Sequence, residues 1–350
     1  MENVHQNING TEREKLLEQL LTVDLEDVVY GALLSILGLL IVSGNLLVII
    51  AVNKNKTLRN KMYVLIVSLA IADLLTGLVH PLNAVTYFVK TLNQSKRLCL
   101  IIDFLGLVPL SASVLHLCAI SVDRFIAINF SLHYEMIMTR RTIVVTLLIS
   151  WGLSVIIGAI PGLGVNTWNA PLIPWCYWQD VITPEFLLFI GIVLILGSVL
   201  MVTLYTQIFI MAWKQHKKIS VGKRIIDREK HKGWRRDMKA VKVIGVVIGV
   251  YLTCWLPSAI MMVRGYLQID IPRYIRNIVF IFAIANSMMN PLIYAWGNKT
   301  MRKTFKRILH IPEKPQSEQE YTPRKNYSDL DNVRNGNVLN LEKVDDSSIS

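Results

Sequence analysis

The sequence predicts an all-α membrane protein, a bundle of seven membrane-spanning helices followed by a short amphipathic helix. Three observations carry this prediction. Seven apolar segments, near 28–53, 61–88, 98–128, 142–163, 184–213, 238–265 and 274–296, are each long enough as helices to cross a hydrocarbon core of ~30 Å. Hydrophobic residues make up 53% of the 350 and charged residues only 18%, with a mean hydropathy of +0.43, which is too apolar for a water-soluble chain of this size. The basic residues behind the net charge of +12 sit in short connections between apolar runs, where the positive-inside rule accounts for them without nucleic-acid binding.

Residues 1–27 are polar and acidic and read as an extracellular tail, with no basic segment leading into an apolar leader. Asn9 heads a glycosylation sequon in this tail, and Asn93 heads another between the second and third spans. Lys54, Lys56, Arg59 and Lys61 mark the first connection as cytoplasmic, and eleven Lys or Arg in 214–239 mark the third inner connection. The N-terminus is therefore expected outside and the C-terminus inside, in a multi-pass protein of the plasma membrane. Residues 28–310 form the spanning unit. Its last segment, 298–310, places Met301, Phe305, Ile308 and Leu309 on one helical face among basic residues, as in a helix lying along the inner membrane surface. Residues 311–350 are polar and read as a disordered cytoplasmic tail.

The third span opens at Cys99 and closes on Ser121-Val122-Asp123-Arg124-Phe125, with only Asp103 and His116 ionisable between those ends. A terminal arginine there suits interfacial snorkelling, or a specific contact with Asp123. Asp73 lies in the middle of the second span, where an ionisable group is costly and needs partners inside the bundle. Asn45, Ser113, Asn286, Ser287 and Asn290 are the oxygen-bearing candidates. Carboxylate and neutral oxygens favour a hard cation or water over zinc, and a purely structural polar network is the equal alternative. Pro257 and Pro291 interrupt the sixth and seventh spans and give them pivots. No internal repeat suggests a transporter, the distant alternative, and the scattered histidines form no catalytic cluster, so an enzyme is not expected.

On these residues the chain resembles the rhodopsin-like (class A) G protein-coupled receptors over 28–310. The marks are Gly44-Asn45, Leu69-Ala70-Ile71-Ala72-Asp73, Asp123-Arg124-Phe125 in place of Asp-Arg-Tyr, Trp151, Cys254-Trp255-Leu256-Pro257 and Asn290-Pro291-Leu292-Ile293-Tyr294. The resemblance implies a disulfide between Cys99 and Cys176, and it implies that Arg124 is the G protein-facing switch, restrained by Asp123 and Asp237. Tyr205 and Tyr294 would swing toward Arg124, and Leu132 would dock into the G protein. Asp73, Ser113, Asn286, Ser287 and Asn290 would hold an allosteric sodium ion, with no obligatory cofactor. A heterotrimeric G protein, arrestin and receptor kinases are the implied partners. Gly197 replaces a usual proline, Tyr251 a usual phenylalanine, and Pro109 lies within the third span.

The inner half, from Tyr205 through Lys218 and around Cys254, most resembles adenosine receptors. The polar contacts those receptors use are replaced by Met262, Trp178 and Gln179. Amine receptors carry an aspartate at the position of Gly106; Asp103, nearly a turn outward, is the available substitute, or else an interfacial partner for Arg97. The pocket implied by the resemblance comprises Asp103, Gly106, Leu107, Leu110, Trp178, Phe189, Trp255, Ser258, Met262, Phe280 and Ile284. It is mostly apolar and suits a lipid-like or aromatic ligand, with an amine held by Asp103, or a receptor active without ligand, as alternatives.

Overall fold

Each expected span is a helix in the structure of the protein, a computed structural model that describes residues 23–89, 95–166, 181–221 and 228–312, with the side chains of 87, 212, 215–221, 228–242 and 244 outside the description. Those helices are Leu25–Lys54, Lys61–Phe88, Lys96–Asn129, Arg140–Ala159, Pro184–Val221, Arg228–Tyr266 and Arg273–Gly297. A short helix, Tyr134–Ile137, follows the third span, and Lys299–Ile308 follows the seventh. Seven of these helices are long and apolar enough to cross a membrane. Among the described residues the one extended pairing is an isolated bridge between Asn166 and Ile182.

Two expectations about boundaries change. The first helix begins at Leu25, inside the segment read as tail, because Asp24 and Asp27 form a capping box: the Asp27 amide donates to Asp24 at 2.8 Å and the Asp24 amide to Asp27 at 3.3 Å. Arg273 pairs with Asp24 and Glu26 and lies 3.5 Å from Asp27, so these acids tie the first helix to the seventh, Asp27 buried and Asp24 still open to solvent. The fifth and sixth helices also continue past their apolar parts, from Met211 to Val221 and from Arg228 to Gly245, into the basic stretch read as connection.

The bundle has two distinct ends, one bearing Cys99 and the other Arg124. Between spans three, five and six lies the largest buried cluster, which includes Leu110, Leu117, Met201, Ile248, Tyr251 and Trp255. A second cluster, at the Arg124 end, contains Val48, Tyr63 and Ile66 together with Met301 and Phe305 of the last helix. Asn298 caps that helix by accepting from the amides of Thr300 and Met301, and donates from its own amide to the Tyr63 hydroxyl at 2.6 Å. Leu309, which ends the helix as its C-cap, is exposed.

Without a hydrophobic drive between helices in lipid, small residues set how closely the spans approach. Gly38 is the clearest case: a Cβ there would stand 2.7 Å from the Gly77 carbonyl and would run into the Pro81 ring. Pro81 lacks the N–H that would have bonded the Gly77 carbonyl, so the first and second helices meet where the ladder is already interrupted. Gly152 meets nothing within 4 Å. Gly38→Ala should therefore destabilise the purified protein by roughly 1–3 kcal/mol in thermal unfolding, whereas Gly152→Ala should leave stability unchanged or slightly raised. Equal effects of the two changes would contradict this account of the contact.

Candidate functional site

In the middle of the bundle, Asp73 is fully buried and gathers donors from two other spans. The Ser113 hydroxyl donates to one carboxylate oxygen at 2.7 Å and the Asn290 amide to the other at 2.7 Å. The Ser287 hydroxyl stands beside the same carboxylate. Every donor is neutral, and among the described residues no basic side chain pairs with Asp73. Asn286 is buried close by in sequence, with its amide nitrogen unpartnered. The carboxylate and the two hydroxyls are oxygen groups of the kind a hard cation takes, and the hydrogen bonds already made join the second, third and seventh spans.

Asn45, read as a candidate partner of Asp73, does something else. Its amide donates to the carbonyls of Ile41 and Ser287, both at 3.0 Å. Ser287 lies four residues before Pro291, whose missing N–H leaves that carbonyl without its helical donor. A side chain from the first span thus satisfies the backbone group that the proline in the seventh releases.

At the Arg124 end, Arg124 folds back on Asp123, donating from Nε at 2.9 Å and also from its terminal nitrogen. The second Asp123 oxygen accepts from the Tyr134 hydroxyl at 2.8 Å, so the fully buried carboxylate is satisfied on both sides. Tyr134 was not among the predicted site residues; the contact spans eleven positions through the turn that follows the third helix, and no spacing rule announces it. Burial first, then the hydrogen bond and charge of Asp123, push its phenol from 10.0 up to about 12, so it remains a donor throughout the physiological range. Leu132 is 91% exposed on the same turn, open to a partner. Phe125 packs beside Ile208 and Tyr205, and a Cβ on Gly245 would collide with the Tyr205 ring, so Tyr205 fills the gap between fifth and sixth helices. Tyr294 packs against the cluster containing Tyr63. Asp237 lies in the sixth helix with its side chain outside the description.

Toward the Cys99 end, a cavity of about 100 Å³ is bounded by Asp103, Gly106, Leu107, Leu110, Phe189, Trp255, Ser258, Met262 and Phe280. Ile284 does not join them. It is buried beside Tyr30, Leu34 and Ile41, because its place on the seventh helix faces the first span rather than the cavity. His80, Asn83 and Ser111 line the cavity in addition. Gly197 faces Cys118 and the Tyr251 hydroxyl, 3.7 and 3.8 Å from where its Cβ would stand, so the two departures in the fifth and sixth spans pack against each other. Cys99 is disulfide-bonded, and Cys118 and Cys254 are free. Cys176, Trp178, Asn9 and Asn93 lie outside the described residues.

His116 and Trp151 form a separate knot. The Trp151 indole donates to the Ser68 hydroxyl at 3.0 Å, which donates to His116 Nε2 at 2.8 Å. His116 Nδ1 faces the Ala112 carbonyl at 2.6 Å and must carry the proton, so the histidine is a satisfied packing residue.

Fold and site together define a membrane bundle of seven helices with a polar knot at its centre and an acid-restrained arginine at one end. The chain belongs to the 7 transmembrane receptor (rhodopsin family), whose family model matches residues 44–294. It is 30% identical over 322 residues to the alpha-1A adrenergic receptor of Oryzias latipes, covering 81% of this chain and 67% of that receptor. It is also 30% identical to adenosine receptor A3 of Ovis aries (78% and 87% covered) and to trace amine-associated receptor 5 of Mus musculus (77% and 82% covered).

Tyr134→Phe removes the donor to Asp123 while keeping the ring. It should lower unfolding stability by roughly 1–2 kcal/mol, measured by thermal unfolding near neutral pH. Unchanged stability would show that the Tyr134 contact contributes nothing to holding Asp123.

Proposed function

We propose that the protein is a plasma-membrane receptor that passes the binding of an extracellular or membrane-derived small ligand to a heterotrimeric G protein, with its N-terminus outside. The ligand enters from the Cys99 end, which Cys99 and Cys176 staple, and the G protein docks at the Arg124 end beside Leu132. Arrestin and receptor kinases act on the same inner face. The observation that most supports this reading is the position of Arg124: a permanently charged guanidinium held against a buried carboxylate, eight residues before an exposed loop leucine. Asp237 completes the restraint across the helices, and opening of the sixth span frees Arg124 for the G protein. The largely apolar wall of the cavity supports a ligand with an apolar or aromatic body. Asp103 favours a second reading, in which that body carries an amine, because this buried acid keeps one oxygen unpartnered inside the cavity.

Loss of one partly solvated charge-assisted contact costs roughly 1–3 kcal/mol, and ~1.4 kcal/mol shifts a two-state equilibrium tenfold. Asp237→Ala should thus raise ligand-free G protein activation several-fold at matched surface expression, measured with G protein activation sensors in cells. Arg124→Ala should couple poorly while reaching the surface normally. Full activation by Arg124→Ala, or an unchanged basal signal in Asp237→Ala, would rule out this switch.

A further inference from the structure

Among the described residues, several of the buried polar atoms without a partner fall in the cavity that Asp103 lines. Asp103, 7% exposed, has no partner for Oδ2, and His80, 2% exposed, has none for either ring nitrogen. The Trp255 indole nitrogen and the Ser258 hydroxyl are likewise unpartnered at the inner part of the same cavity. A ligand of apolar surface alone would displace solvent from these atoms and return no hydrogen bond.

His80 and Asp103 border a single slot. Gly106 lies one helical turn from Asp103, and a Cβ on it would stand 3.9 Å from His80 Cε1. The imidazole of the second span therefore stands within van der Waals reach of a side-chain atom placed on Gly106. Phe280, from the seventh span, meets the His80 ring at 5.4 Å with the planes 87° apart, which fixes how the imidazole is presented. In the bundle His80 lines the same cavity as the unsatisfied Asp103 oxygen.

We propose that His80 and Asp103 together recognise a protonated amine that retains N–H groups, with an aromatic body lying in the apolar cavity toward Trp255. The carboxylate supplies the countercharge and accepts one N–H. A neutral imidazole offers one lone pair, which accepts a second N–H, and one N–H of its own. A quaternary ammonium carries the same charge but no donor, so it satisfies neither the Asp103 oxygen nor the imidazole. The site thus selects primary and secondary amines over quaternary ones. This proposal rests on the reading of the chain as a receptor for a small ligand, and specifies that ligand's chemistry.

The test uses the purified full-length protein in lipid nanodiscs, with phenethylamine, its N,N,N-trimethyl analogue and phenethyl alcohol as probes and thermal stabilisation across a concentration series as the readout. Wild type should be stabilised by phenethylamine at concentrations roughly tenfold or more below those needed for the other two. Asp103→Asn should abolish the preference for the charged probe. His80→Phe should weaken phenethylamine by roughly tenfold while leaving the trimethyl analogue unchanged, and His80→Gln, which keeps an acceptor, should restore part of the loss. Unliganded melting temperatures show whether each variant folds. Equal affinity for the primary and quaternary probes, full phenethylamine affinity in His80→Phe, or no response of wild type to phenethylamine would each overturn the proposal. Ligand-free G protein activation that depends on Arg124 would leave the receptor reading standing in that event. Phenethylamine binding without any G protein activation would instead uphold the amine site and remove the receptor reading.

Discussion

A carboxylate in the centre of a membrane bundle has to be satisfied by side chains from other helices, and Asp73 imposes that demand here. Its two oxygens take hydrogen bonds from the third and seventh spans, so one buried acid in the second span fixes how three helices sit around a common point. Around that point the other contacts divide into two regions. Toward Cys99 the helices part around a cavity, and toward Arg124 they close over Tyr294, Tyr63 and the last helix.

The same accounting explains the backbone. Proline within a span leaves a carbonyl without its donor, and lipid offers none in return. Asn45 supplies one to Ser287, while the carbonyl released by Pro81 falls where Gly38 allows the first helix to come close. At Pro291 one helix's deficit is met by its neighbour, which ties the pivot in the seventh span to the first helix. The Asp123 carboxylate follows this rule at the Arg124 end, taking Arg124 on one side and Tyr134 on the other.

Much of this was legible in the sequence. Long apolar runs gave the spans, because length and hydropathy are the properties the membrane selects. The partners of Asp73 were also legible: an acid at mid-span needs polar residues at the same depth, and Ser113 and Asn290 were among the few available. Contacts that depend on helix rotation were not. Asn45 serves backbone carbonyls instead of the acid, Ile284 faces the first span instead of the cavity, and His80 meets the third span near Gly106. Tyr134 was missed because its bond to Asp123 is made by a turn, whose geometry no periodicity encodes. The acids from Asp24 to Asp27 looked like tail because their partner, Arg273, lies at the far end of the chain.

We propose that the Asp73 knot responds to a cation and that its state is felt at Arg124, a reading supported by the buried carboxylate and the hydroxyls gathered around it. An ion that binds the closed bundle more tightly than the open one must lower activity by population shift. The direct measurement is ligand-free G protein activation by the reconstituted protein in sodium against potassium at equal ionic strength, for wild type and Asp73→Asn. The account predicts that sodium lowers the wild-type signal and leaves Asp73→Asn unaffected. Equal sodium sensitivity in both proteins would contradict it.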